Sequence, residues 1–178
     1  MELIDVLDSE GNKTKIVKTK PEVHQIGLWH NSVHIWFVNS KKEIILQFRS
    51  KFMGNNPSMW DVSVAGHVSS GESLTQALTR ELKEEINFDL NPAELKFIGK
   101  VKIQSVQKEG TYINNEFNYL YLIRKDLNIN DLHLQAEEVT EIKWLPIAEF
   151  KKWVQEKRAD LVPHASEYEI LFKELGLI

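Results

Sequence analysis

Gly66 to Phe88 reads GHVSSGESLTQALTRELKEEINF. Leu74, Leu78, Leu82 and Ile86 recur every four residues, which puts one apolar stripe on a helix. Ser73 stands where an N-cap belongs, and Gln76 three residues later completes a capping box. Asn87 ends the helix, because asparagine is the usual second choice after glycine for a left-handed C-terminal position. On this helix Glu81, Glu84 and Glu85 are spaced i, i+3 and i+4, so their carboxylates share one face. Like charges at that spacing cost a helix about 0.2–0.5 kcal/mol per pair. A hard divalent cation offsets the repulsion, since Mg²⁺ takes carboxylate and phosphate oxygens and keeps several waters. Most Glu-rich helix faces are nevertheless plain solvated surface. Ahead of the helix, Ala65, Gly66 and Gly71 permit tight backbone geometry beside a ligand, where a carbonyl adds a neutral oxygen. Glu72 adjoins the N-cap, where the helix dipole favours an acid. Arg80 can hold a neighbouring carboxylate by paired hydrogen bonds.

The flanking sequence is mostly strand. ELIDVL and KTKIVKT enclose the turn-rich DSEGN and predict a β-hairpin within residues 1–20, which Pro21 ends. Val33–Val38 and Glu43–Phe48 read as strands joined by a turn at 39–42, and 50–60 as a Gly/Asn/Pro loop. Val62, Val64 and Val68 alternate as a short strand. Leu95–Gln107, Asn118–Arg124 and Glu141–Leu145 follow as strands, then helices from about Ala148 to Lys157 and Ser166 to Leu175, closed by Gly176. Strands on both sides of a central helix, with helices at the end, predict a mixed sheet between helical layers and one domain over 1–178.

Composition narrows the function. The 178 residues include no cysteine, which excludes a disulfide framework, a thiolate metal site and a cysteine nucleophile, and fits a reducing cytoplasm. Lys plus Arg number 22 and Asp plus Glu 26, a net charge of −4, which argues against a nucleic-acid partner. The acidic start, MELIDVLDSEGNK, is unlike a signal peptide, and no apolar run approaches the roughly 20 residues of a membrane span.

The string 66–88 resembles the Nudix box, G-x5-E-x7-R-E-U-x-E-E-x-G-U, with U a bulky apolar residue. Gly66, Glu72, Arg80, Glu81, Leu82, Glu84, Glu85 and Phe88 fill its positions, and only Asn87 departs, standing for glycine. The resemblance implies an α/β (α+β) fold, an α-β-α sandwich with a mixed sheet, here with the added N-terminal hairpin. It implies that Glu84 and Glu85 ligate a metal, with Glu81 as ligand or base. The Gly66 carbonyl would be a further ligand, and Glu72 and Arg80 would support the carboxylates. The cofactor is expected to be Mg²⁺, with Mn²⁺ as substitute, and the partner a small-molecule diphosphate attacked by water.

MWDVSVAGHVSSGES, with the upstream histidines and downstream EFNYLY, also resembles the branch related to type I isopentenyl-diphosphate isomerases. There a cysteine precedes the Gly-His pair, but here the residue is Ala65, and Asn118 stands where a second glutamate beside Glu116 is expected. The expectation is therefore a hydrolase on an isomerase-like scaffold, against two alternatives: an isomerase, or a non-catalytic ligand-binding module. His24, His30 and His67 with Glu116 are candidates for a second cation or the substrate phosphates; hydrogen-bonded or surface histidines, His34 among them, are commoner. Trp36 and Trp144 are expected to pack, and Trp29 and Trp60 to pack or stack on a ring. Arg49 and Lys51 either reach a phosphate or face solvent. The substrate and the oligomeric state, including a homodimer, stay open.

Overall fold

In the computed structural model, which describes residues 2–178, nine strands join one mixed sheet. β1 (Leu3–Leu7) and β2 (Lys13–Thr19) form the expected antiparallel hairpin. A helix that the sequence reading did not foresee follows, α1 (Lys20–Ile26). Pro21 sits in the first turn of this helix as well as ending the strand pattern, because there its missing N–H costs nothing. Thr19 and Glu22 cap it reciprocally, and Gly27 closes it at φ 75°. Seven residues are too few for apolar periodicity to reveal it.

β3 (Trp29–Val38) lies at the heart of the sheet. It pairs in parallel with β8 (Tyr112–Arg124) and antiparallel with β6 (Val64–His67). β4 (Glu43–Arg49) pairs with β5 (Trp60–Asp61) and with β9 (Val139–Pro146), and β7 (Leu95–Gln107) pairs with β8. α2 (Leu74–Ile86) covers one face; α3 (Ile147–Gln155) and α4 (Ala165–Glu174) cover the other. Alternate residues of β3 serve the two layers, as strand geometry requires. Val33, Ile35 and Phe37 pack in one cluster with Ala77, Leu78, Leu82 and Ile86 of α2. Trp36 and Val38 pack in another with Phe150, Trp153, Tyr168, Leu171 and Phe172. Each Val, Leu, Ile or Phe side chain among them contributes about 1.5–3 kcal/mol on burial. The expected α-β-α sandwich is the fold.

β3 and β8 both begin earlier than expected, and the added residues shape the site. In the parallel register His30 faces Glu116 and Ser32 faces Asn118, before His34↔Leu120 and Trp36↔Leu122. The layer that is apolar beneath α3 and α4 thus becomes polar toward the N-terminal ends of the two strands. Buried polar residues disguised those strand ends in the sequence. No helix among the described residues is long and apolar enough to cross a membrane.

Candidate active site and metal centre

α2 is capped as its sequence predicts. Ser73 and Gln76 form the capping box, and Asn87 adopts φ 54°, ψ 39°, its N–H reaching the Leu82 and Lys83 carbonyls. Asparagine therefore takes the left-handed position that glycine would fill. The loop before the helix supplies Gly66 on β6. A Cβ built on Gly66 would lie 1.9 Å from Glu81 Cδ, so only glycine lets the loop backbone and this carboxylate meet.

One guanidinium organises the acids. Arg80 donates to Glu72 (2.9 and 3.0 Å), Glu81 (2.7 Å), Glu84 (3.1 Å) and the His67 carbonyl (2.9 Å). It ties the loop to three carboxylates through a planar fork that lysine lacks. Glu72 also accepts from the Ser69 N–H at 2.9 Å, and Arg80 holds its carboxyl below the usual range. Glu84 stays half-exposed, whereas Glu81 and Glu85 are buried. Burial pushes Glu81 up to about 7 against the pull of Arg80, with Glu2 and Glu138 adding to the rise. Burial, then the charges of Glu81 and Glu138, hold Glu85 well above the carboxylate range, and its Oε2 has no hydrogen-bond partner. Two buried carboxylates, Glu81 against the bare Gly66 backbone and Glu85 with an orphaned oxygen, suit a hard cation.

Gly66, Arg80, Glu81 and Glu84 line a cleft of about 560 Å³ together with His24, His67 and Glu116. His24, His30, His67 and Glu116 offer four ligand atoms all within 4.8 Å of one another. They come from α1, β3, β6 and β8. His30 Nδ1 is 2.9 Å from the Leu28 carbonyl and donates to it. In the neutral ring Nε2 is then a lone pair, and it faces Glu116 Oε1 at 3.3 Å. His67 Nε2 lies 3.5 Å from the same oxygen and 3.2 Å from His24 Nε2. Lone pairs converging on a carboxylate need a proton or a metal ion between them. Burial drives His24 down to about 3, and lowers His67 as well, so protonation is disfavoured at both. Burial raises Glu116, but His30 and His67 hold it well below the carboxylate range. The donor set, three imidazoles and one carboxylate, fits a transition-metal ion or Zn²⁺.

The cleft has a third group that the sequence left unrecognised. Glu167 of α4 accepts from His34 Nδ1 (2.8 Å) and Trp36 Nε1 (2.7 Å). His164 Nε2 donates to Asp61 at 2.7 Å, and Asp61 also accepts from Arg49 at 2.9 Å. Arg49 further grips the 50–58 loop through the Asn55 and Asn56 carbonyls. Arg49 is therefore committed to structure, while Lys51 is exposed. Burial alone would lower His164, but Asp61 and Glu167 raise it to about 9. Trp36 is fully buried and Trp60 nearly so, and Trp144 donates to the Leu127 carbonyl. Trp29 rests on Phe117.

Comparison with known proteins agrees with this geometry. The model of the Nudix domain matches residues 28–165. The chain is 35% identical over 176 residues to Nudix hydrolase 3 of Arabidopsis thaliana, covering 96% of this chain but only 23% of that protein. It is also 35% identical over 161 residues to an uncharacterized Nudix hydrolase of Clostridium acetobutylicum, spanning 88% of this chain and 75% of the relative. Similarity to an isopentenyl-diphosphate Delta-isomerase of Serratia proteamaculans is 31% over 121 residues, 68% of this chain and 65% of the isomerase. A crystal structure from Deinococcus radiodurans shares the fold at TM-score 0.71 and 19% identity, covering 95% of this chain and 97% of that one. A Nudix domain from Shewanella oneidensis, solved with ADP ribose, does so at TM-score 0.60 and 18% identity, covering 82% and 87%. With the box helix, its caps and its glycine all in place, this chain belongs to the Nudix family of hydrolases.

Proposed function

We propose that the chain hydrolyses a diphosphate linkage, in a nucleoside diphosphate derivative or a related organic diphosphate, with Mg²⁺ or Mn²⁺ as cofactor. One observation carries this reading: Glu81 is buried against the bare backbone of Gly66, and Glu85, buried one turn further along the helix and bonded to the Ala65 backbone, keeps an orphaned oxygen. Glu81, Glu84, Glu85 and the Gly66 carbonyl would hold the cation. When bound, it would neutralise phosphate charge and acidify a water. Arg80 and Glu72 orient the carboxylates and leave the substrate to others, since every Arg80 nitrogen is engaged. The water oxygen attacks one phosphorus, the bridging P–O bond breaks, and the leaving phosphate departs with the electron pair. The proton of the water passes to a carboxylate of the cluster, with Glu81 as ligand or acceptor. A positioned base typically contributes 10²–10⁴-fold.

The histidine group supports a second cation or a phosphate contact in the same cleft, carried by the four ligand atoms of His24, His30, His67 and Glu116 that lie within 4.8 Å of one another. Isomerase chemistry has less support, because Ala65 cannot supply the acid that the isomerase cysteine provides. An isopentenyl-diphosphate isomerase among the sequence relatives and ADP ribose bound to a structural neighbour leave prenyl and nucleotide diphosphates both worth assaying. The absence of cysteine fits action in the reducing cytoplasm. A hydrolysis screen over nucleotide sugars, dinucleotides, nucleoside diphosphates and prenyl diphosphates, run with each metal, tests the proposal. Metal-dependent phosphate or nucleotide release is expected. No release from any of them would overturn it, and conversion of isopentenyl diphosphate to its allylic isomer would favour the isomerase.

A further inference from the structure

We propose that Tyr112 is a substrate-binding residue of this cleft, its phenol hydroxyl donating a hydrogen bond to a non-bridging phosphate oxygen of the diphosphate. This rests on the hydrolase reading above. Tyr112 opens β8, opposite Gln107 across the turn that joins it to β7. It lines the cleft together with Gly66, Glu81, Glu84 and Glu116. Its ring is held from two directions. His24 of α1 stacks on it, with the ring centroids 4.4 Å apart and the planes 13° from parallel. Gly54 of the 50–58 loop lies against its edge, so close that a Cβ built there would come within 3.2 Å of Tyr112 Cε2. The loop is itself fixed. Arg49 donates to the Asn55 and Asn56 carbonyls, and the Asn56 N–H donates to Gln107 Oε1 at 3.3 Å. A ring clamped in this way aims its hydroxyl in one direction, as positioning a substrate requires.

The hydroxyl has no protein partner. Among the described residues, no hydrogen bond reaches Tyr112 Oη. Tyr168 shows the ordinary arrangement, its hydroxyl donating to the Val162 carbonyl, as buried tyrosines usually do. Burial first, then Glu116, push the Tyr112 phenol up; Arg49 opposes them and Glu2 adds to the rise. The hydroxyl thus lies within electrostatic reach of the histidine group, the end of β4 and the N-terminal hairpin at once. The fixed cations of the cleft are already committed. Every nitrogen of Arg49 and of Arg80 is engaged by protein acceptors, and Lys20 is paired with Glu2. Phosphate oxygens that the cation does not hold still need donors. A phenol, protonated at neutral pH, supplies one without carrying a charge that the surrounding acids would capture.

The test uses methylenediphosphonate, which has two phosphorus groups, no organic group and a P–C–P bridge that water does not cleave. Its dissociation constant is measured by titration calorimetry on the Mg²⁺-loaded parent, Tyr112→Phe and Tyr168→Phe, beside thermal melts. Tyr112→Phe keeps the ring and loses only the hydroxyl, so its melting temperature should equal the parent's. Methylenediphosphonate should nevertheless bind at least about tenfold more weakly, the scale of a hydrogen bond to a charged acceptor. Tyr168→Phe should melt lower and bind as the parent does. Parent-like affinity in Tyr112→Phe would overturn the assignment and leave the proposed hydrolysis standing, and so would an equal loss in Tyr168→Phe. A parent that binds no methylenediphosphonate with Mg²⁺ or Mn²⁺ would overturn both.

Discussion

A single missing side chain, that of Gly66, lets the box work. Any Cβ there would sit 1.9 Å from Glu81 Cδ, far inside contact distance. Gly66→Ala is therefore expected to displace Glu81, cutting turnover by at least about 10²-fold, on the scale of a lost general base or metal ligand. Steady-state kinetics beside a melt would check this, and an unchanged kcat would mean that Glu81 is not where the chemistry happens. Glu85 makes the complementary case. Its carboxyl is buried and held well above the normal range by burial and by Glu81 and Glu138. Glu85→Gln removes a charge that folding does not favour, so the metal-free protein should melt at or above the parent temperature. Turnover should nevertheless fall by at least about 10²-fold as a metal ligand is lost. Equal activity in the two proteins would refute the role.

α2 combines local and long-range demands. Its ends are self-sufficient: the Ser73–Gln76 box and the left-handed Asn87 satisfy orphan groups without tertiary help. Ser73→Ala should cost about 0.5–2 kcal/mol in urea unfolding and leave kcat unchanged, since Ser73 touches none of the acids. Its middle depends on the loop before it, because Arg80 bonds Glu72 and the His67 carbonyl as well as Glu81 and Glu84. Arg80→Lys should consequently impair metal binding more than stability, a split readable from Mn²⁺ affinity against the melting temperature. The element reading failed where patterning was absent. α1 has only seven residues and holds in its first turn the proline that ended the strand pattern. The early turns of β3 and β8 carry His30, Ser32, Glu116 and Asn118, which alternate like a strand but are polar because they face a cleft.

Across the whole molecule, His164 joins elements that are far apart in the chain. Through Asp61 it reaches Arg49 on β4, and beside it Glu167 anchors α4 to His34 and Trp36 of β3. Its pKa, raised to about 9 from an unfolded value near 6.5, means that the folded state binds the proton more tightly. The resulting stability is complete below the unfolded value and is lost as pH rises through about 9, an effect of roughly a few kcal/mol at most. Melts from pH 6.5 to 9.5 should show a steeper loss in the parent than in His164→Asn; parallel curves would contradict the linkage. His24 works in a separate window. Lowered to about 3, it favours folding when neutral, so its contribution is lost as pH falls from about 6.5 towards 3.

The amino-acid sequence by itself determined α2, its caps, the box carboxylates and the strand-rich sandwich around them. Those features are periodic or local, each encoded within a few turns of helix or one stretch of strand. Only the tertiary structure brought His24, His30, His67 and Glu116 within 4.8 Å of one another, and Glu138 into the cleft of the box acids. The physical reason is strand pairing. β8 lies parallel to β3, and the loop before β9 folds back onto α2, so groups remote in the chain become neighbours through backbone hydrogen bonds that carry no side-chain signature.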